Sequence, residues 1–180
     1  MIGTLLDFTR LRFHTFPVSL APGDMGEIAH GAIEEVRISE PNRPIQLRAR
    51  GSLRGQWDSA RMSQVITNLV SNALAYGEPG TAVTVEVEGD ERNVTVRVHN
   101  LGTPIPPAFM AVIFEPFRRA VPEDGSPHGL GLGLYIVQQI VLAHGGEIHV
   151  QSNAREGTAF TMRLPVAAAG AARVVDGVNR

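Results

Sequence analysis

The chain contains no cysteine, which excludes disulfide staples and thiolate metal sites and fits a reducing compartment. Nor does one sign of charge dominate. Sixteen Lys and Arg against 18 Asp and Glu leave a formal net charge of −2. That balance gives no electrostatic case for nucleic acid or an acidic membrane surface. There is no apolar run long enough to span a bilayer and no signal-peptide pattern. The six histidines are scattered, and no pair has zinc-ligand spacing beside a third candidate. What is present is a 180-residue chain that is 43% hydrophobic, which suits one globular domain with a real core. The expectation is a soluble, cytoplasmic domain without nucleic-acid partners or direct membrane insertion.

Hydrophobic periodicity gives the order of elements. Ile2, Leu5, Leu6, Phe8 and Leu11 recur at near-helical spacing with no N-cap before them, so residues 1–12 read as the end of a longer helix. Residues 17–23 read as a linker. Asp24 is an N-cap for a helix to about Ile38, and Pro41 and Pro44 break the chain before a strand over 45–50. Asp58 caps the next helix, which carries Met62, Val65, Ile66, Leu69, Val70, Ala73 and Leu74 on one face. Residues 81–87 and 94–98 alternate and are joined by Gly89-Asp90-Glu91-Arg92, a hairpin pattern. A short helix over 108–114 follows Pro106-Pro107, and 115–129 is a long aperiodic loop of the functional kind. A glycine run then opens a helix over 135–143, which ends at Gly145-Gly146 before strands over 147–151 and 158–164. Residues 167–180 form a weakly patterned tail. This order predicts a two-layer α+β sandwich with one sheet face covered.

Three features carry chemistry. Gly129-Leu130-Gly131-Leu132-Gly133-Leu134 places alternate glycines at a helix start, where successive amides can cradle anionic oxygens. Read alone, the run is equally an ordinary glycine-rich turn, and it lacks the dinucleotide-binding spacing. Gln64, Asn68 and Asn72 stand four residues apart, so one helix presents three amides along a stripe. Asparagine is a mediocre helix former, and its amide oxygen is an adequate ligand for a hard cation such as Mg²⁺ that shares a substrate's phosphates. Finally, Asn100 leaves a strand end and is followed by Gly102, Pro104 and Ile105. That segment is either a concave floor for a flat heterocycle or a plain turn.

In order, Asn68-Leu69-Val70-Ser71-Asn72-Ala73, Asn100-x-Gly102-x-Pro104-Ile105, Ile113-Phe114-Glu115-Pro116-Phe117, the glycine run and Gly157-Thr158 form a combination. It resembles the catalytic, ATP-binding domain of sensor histidine kinases, in the superfamily shared with DNA gyrase, MutL and the heat-shock chaperones. The resemblance spans about 20–165, and details at Pro104-Ile105-Pro106 and Phe117-Arg118-Arg119 look closest to bacteriophytochrome-like kinases. Residues 1–19 then resemble the end of a dimerisation-domain helix with its linker, 20–166 the catalytic domain and 167–180 a tail. The resemblance implies a mixed, mostly antiparallel sheet covered by about three helices, a mobile ATP lid, and ATP with Mg²⁺ as bound groups. By the same resemblance, Asn72 holds Mg²⁺, Asn68 lies beside it on the phosphates and Tyr76 lies against the nucleoside. Asn100 reads adenine, Gly102 lets the ring approach, and Pro104 and Ile105 line the floor. Phe114 and Phe117 anchor a lid with Arg118 and Arg119 near its tip. Gly129, Leu130, Gly131, Leu132, Gly133 and Leu134 wrap the phosphates, and Thr158 supports the adenine end. The implied partners are a dimerisation domain bearing the phospho-acceptor histidine and, indirectly, a response regulator.

Departures from the family pattern are informative. Asn100 replaces the usual Asp, so its carbonyl accepts from adenine's amine without charge, and modest ATP affinity is expected. Ala75 stands where a lysine commonly follows the Asn-Ala step, removing one phosphate contact that Arg118 or Arg119 would replace. None of His14, His30, His99, His128, His144 or His149 has the acceptor context, so no histidine autophosphorylation is expected. Asn68 also stands where hydrolytic relatives carry a water-activating glutamate, which disfavours a gyrase-like ATPase. A serine kinase of the anti-σ type and a non-catalytic nucleotide-binding module are the alternatives.

Overall fold

A computed structural model of the chain describes residues 17–118 and 130–167. The expected leading helix, Arg119, Gly129, the remainder of the lid tip and the tail beyond 167 lie outside them. Eleven elements follow in order: β1 (Ala21–Asp24), α1 (Met25–Ser39), β2 (Ile45–Gly51), β3 (Arg54–Trp57), α2 (Ser59–Tyr76), β4 (Val83–Gly89), β5 (Asn93–Asn100), α3 (Pro107–Met110), α4 (Gly133–Ala143), β6 (Glu147–Asn153) and β7 (Gly157–Pro165). Five strands form one sheet in the order β2-β4-β5-β7-β6, with β2 parallel to β4 and every other pair antiparallel. Helices α1, α2 and α4 supply the apolar side chains that cover one face. The sandwich expected from the sequence is the fold observed.

The helices start where the sequence asks. Asp24 accepts from the N–H groups of Gly26 and Glu27, and Asp58 accepts from that of Arg61, so each carboxylate satisfies donors that a helix start leaves orphaned. Met62, Val65, Ile66, Leu69 and Val70 of α2 are fully buried, each contributing about 1.5–3 kcal/mol of burial. Strand register lays the opposing apolar rows across the sheet: Val94 beside Leu164, then Val96–Met162–Ile148, then Val98–Phe160–Val150. The next row on this inner face is polar, Asn100–Thr158–Ser152. That change of character marks where the core ends and the site begins.

The outer face is self-paired. Glu86 lies between Arg48 (3.4 Å) and Arg97 (3.1 Å), and Arg50 pairs with Glu88. Such exposed pairs contribute little stability, but they keep this face wet. Two short strands were not expected from the sequence. Residues 21–24, read as linker, pair antiparallel with 54–57. Neither segment alternates, and Pro22, Gly23 and Gly55 argue against strand locally. Packing overrides propensity: Trp57 is 1% exposed, and a Cβ on Gly55 would lie 2.2 Å from its indole. Only glycine lets the ring lie over that backbone. No helix among the described residues is long and apolar enough to cross a membrane.

Candidate functional site

Helix α2 brings the amide stripe to the open end of the helix layer. Asn68 and Asn72 are half-buried, beside the fully buried Leu69 and Val70, and neither amide bonds another described residue. Gln64 of the stripe instead accepts from Arg61 Nη1 at 2.9 Å. A Cβ on Gly133 would lie 4.0 Å from Asn68 Oδ1, so the first residue of α4 faces the stripe. That helix start has no side-chain cap, since its N-cap is Leu132, itself 1% exposed. Uncapped N–H groups at a helix start favour an anion. The unpartnered Asn68 amide therefore faces an anion-favouring terminus, with Asn72 one turn further along α2. Among the described residues no cluster of His, Asp or Glu could hold a metal ion. The donor set at the stripe is neutral oxygen, which fits a hard cation that brings its own anion and waters.

A second cluster is built around Asn100. It closes β5, is 5% exposed, and its Nδ2 donates to the Leu101 carbonyl at 3.2 Å. Thr158 is its register partner on β7 and is 6% exposed. Gly102 has φ +153°, and a Cβ there would lie 2.6 Å from the Tyr76 carbonyl, so only glycine lets the turn pass the end of α2. Gly157 has φ +75°, and a Cβ there would lie 2.2 Å from the Asn100 carbonyl. The two glycines press α2, β5 and β7 together around one concave end. Tyr76, the last residue of α2, is 45% exposed there, and Glu78 N–H donates to the Leu101 carbonyl at 2.7 Å. Pro104 and Ile105 are half-buried, and Ile105 N–H donates to Ser152 Oγ at 2.9 Å.

Between these two parts lie the expected lid anchors. Phe114 packs edge-on against Phe160 with ring centroids 6.4 Å apart. Phe117 has φ +62°, an uncommon and strained conformation for a bulky residue, and its N–H donates to the Gly131 carbonyl at 2.9 Å. That bond ties the segment ending at 118 to the glycine run. Arg118 Nε donates to Glu115 Oε2 at 2.8 Å, Leu130 is exposed and Leu134 packs partly buried against the core. The structure thus gathers Asn68, Asn72 and Gly133 on one side, and Tyr76, Asn100, Gly102 and Thr158 on the other. Sequence reasoning missed Ser152, which shares its hydroxyl with Thr158 at 2.7 Å. Alternation along β6 was the available signal, since Ile148, Val150 and Ser152 share the inner face.

Three of the four described histidines have other occupations, and the fourth, His30, is exposed on α1. His99 Nε2 donates to the Glu156 carbonyl at 2.6 Å, and His149 lies 3.4 Å from Glu147 on the exposed edge strand. His144 is 5% exposed and binds backbone through both ring nitrogens: Nδ1–H donates to the Ile140 carbonyl at 2.8 Å, and Nε2 accepts from Asp58 N–H at 3.1 Å. Those partners select the neutral ring with its proton on Nδ1.

Comparison with known proteins agrees with this geometry. Residues 57–168 match the family described as histidine kinase-, DNA gyrase B- and HSP90-like ATPase. The chain is 30% identical to histidine protein kinase DivJ of Caulobacter vibrioides, over 92% of this chain and 28% of that protein. It is 33% identical to the bacteriophytochrome of Pseudomonas aeruginosa, over 92% of this chain and 23% of that protein. The chain thus spans about a quarter of the length of these relatives. Among solved structures, the mycobacterial sensor histidine kinase MprB superimposes with a TM-score of 0.71 at 29% identity, covering 83% of this chain and 99% of that one. Full-length ShkA in complex with AMPPNP gives 0.76 at 28% identity, covering 93% and 35%. Fold and family match agree, and the chain belongs to the histidine kinase-, DNA gyrase B- and HSP90-like ATPase family.

Proposed function

We propose that this chain is the ATP- and Mg²⁺-binding catalytic domain of a cytoplasmic two-component sensor histidine kinase. It positions ATP for transfer of the γ-phosphoryl group to a histidine on a separate dimerisation domain, which in turn serves a response regulator. One observation carries the reading: the unpartnered Asn68 amide faces the uncapped start of α4, with the unpartnered Asn72 one turn further along the same helix. The buried Asn100–Thr158 pair lies at the sheet end beyond the core.

Each residue has a task in that reading. Asn72 would supply an amide oxygen to the cation, and Asn68 would lie beside it with its amide N–H groups free to donate to the phosphates. Gly131 and Gly133 admit the phosphate chain to the N–H groups at the start of α4 without a side chain in the way. Asn100 accepts from the 6-amino group of the base, Gly102 with Pro104 and Ile105 forms the floor, and Tyr76 covers the nucleoside. Bound Mg²⁺ supplies charge neutralisation across the phosphates. Phosphoryl transfer is otherwise mostly positioning, so a domain that holds the donor in line needs no general base of its own. Asn68, which cannot deprotonate water, supports transfer over hydrolysis.

The test is to mix the chain with a separately made dimerisation domain and γ-labelled ATP. Acid-labile label is expected on the partner's histidine and none on this chain. An absent Mg²⁺-dependent thermal shift with a non-hydrolysable ATP analogue would overturn the reading at its root.

A further inference from the structure

The side chains gathered for the phosphates, those of Asn68 and Asn72, are neutral, and Gly131 and Gly133 have none to offer. A triphosphate with one Mg²⁺ bound remains anionic, so this set lacks a cation. One backbone bond brings a cation to its edge. Phe117 N–H donates to the Gly131 carbonyl at 2.9 Å, two residues before α4 begins, and Arg118 is the next residue along. The left-handed backbone at Phe117, φ +62°, turns the chain there and sets the direction from which the Arg118 side chain starts.

Arg118 is already held on its other side. Its Nε donates to Glu115 Oε2 at 2.8 Å, and both side chains are about half exposed. Glu115 is itself anchored, since its N–H donates to the Val112 carbonyl at 2.9 Å and Pro116 stiffens the backbone after it. A guanidinium carries five N–H donors in a planar fork. The pair takes the one on Nε, and no described residue accepts from Nη1 or Nη2. The edge between the two Nη atoms, which suits paired phosphate oxygens, is therefore open. A long exposed side chain loses rotamer freedom when it meets a ligand, and a neighbour that already restricts it lowers that cost.

We propose that Glu115 is a positioning residue, which holds Arg118 through Nε so that the Nη edge of the guanidinium meets the phosphates of the bound nucleotide. The proposal rests on the reading of the α4 start as the phosphate side of the site. Simple repulsion predicts the opposite sign, because a carboxylate near the phosphates disfavours them. Between half-exposed groups that repulsion is screened, whereas alignment acts at contact. The direction of the effect therefore separates the two.

The experiment measures equilibrium binding of Mg²⁺-ATP and of adenosine to the full chain, to Glu115→Ala, Glu115→Gln and Arg118→Gln, and to Glu115→Ala combined with Arg118→Gln. Arg118→Gln is expected to weaken Mg²⁺-ATP roughly fivefold and to leave adenosine unchanged. Glu115→Ala should weaken Mg²⁺-ATP roughly threefold, again without an effect on adenosine. Glu115→Gln keeps an oxygen that accepts from Nε and should restore the affinity. Once Arg118 is replaced, Glu115→Ala should add nothing. Tighter Mg²⁺-ATP binding in Glu115→Ala, or a loss that persists without the guanidinium, overturns the proposal. An equal loss for both ligands makes Glu115 merely structural and overturns it too. An unchanged Mg²⁺-ATP affinity in Glu115→Ala overturns it while leaving the nucleotide site standing. Binding of neither ligand to the unaltered chain overturns the site reading and the proposal together.

Discussion

Helices α2 and α4 lie side by side, and their two ends are built on opposite terms. Where α2 begins and α4 ends, the side chains of Asp58 and His144 are completed by the protein, while the buried Trp57 Nε1 beside the cap has no partner among the described residues. Asp58 N–H donates to His144, His144 donates to the Ile140 carbonyl, and the Asp58 carboxylate accepts from Arg61 N–H at 3.1 Å and Ser19 N–H at 2.9 Å. One carboxylate and one imidazole there join the entering chain, the start of α2 and the last turn of α4. The same helices are unfinished at their other end. Asn68 and Asn72 bond no other described residue, and α4 starts without a side-chain cap. Both amides are half-buried and keep access to solvent, so leaving them unpaired costs little. The closed end is joined by protein groups, and the open end is where nucleotide binding is proposed.

That contrast can be broken experimentally. The largest effect is expected from Asn72→Ala, which should weaken Mg²⁺-dependent ATP binding by roughly 100-fold while barely changing the melting temperature. A parallel collapse of stability, seen in a calorimetric scan without nucleotide, would show that the open end also supports the fold.

His144→Ala addresses the closed end. It leaves Asp58 N–H without its partner, removes one of the two donors to the Ile140 carbonyl and opens a small cavity, so a loss of about 2–3 kcal/mol is expected in urea titrations. Nucleotide affinity, measured where the variant is still folded, should change by less than about twofold. A large affinity change at unaltered stability would mean the two ends are coupled.

The smallest effect sharpens the comparison rather than testing it. Asp90 sits in the β4–β5 turn, near the closed end, since its neighbour Arg92 accepts from Val166 N–H and the Val166 carbonyl accepts from Gln56. The N–H groups of Arg92 and Asn93, both at 2.7 Å, hold the Asp90 carboxyl below its ordinary 3.8. A depressed carboxyl contributes stability that is fully present above the unfolded value and is lost as pH falls through the folded one. Asp90→Asn should therefore lower the melting temperature slightly at neutral pH, with the difference from the unaltered chain closing below about pH 3.8. A difference that persists into stronger acid would assign the effect to something other than the charge.

The open end was more legible in the sequence than the closed one. Helix α2 announces itself through its cap and its 18-residue apolar period, and the spacing of Asn68 and Asn72 places both amides on the stripe beside that core face. Asn100 was legible as a strand end. What stayed hidden depends on partners remote in sequence. Ser152 matters through strand register, the Leu101 carbonyl through its backbone direction, and β1 and β3 exist because Trp57 packs over glycine and Gln56 donates to Val166 at 3.1 Å. The join between Asp58 and His144 crosses 86 positions, and no local pattern encodes it.

The parallel pairing of β2 with β4 has a consequence for the order in which the domain assembles. Arg48 and Glu86, partners in that pair, are 38 positions apart, whereas β4–β5 and β6–β7 close through short turns. Parallel strands need a return crossing, and α2 is the segment that makes it. Local hairpins close at lower entropic cost than such a crossing, so refolding followed by pulsed hydrogen exchange should protect β4 and β5 before β2. Simultaneous protection would refute that order. On that order, the helix that presents Asn68 and Asn72 comes to rest only as the edge strand closes, so the proposed nucleotide site would be among the last parts of the domain to form.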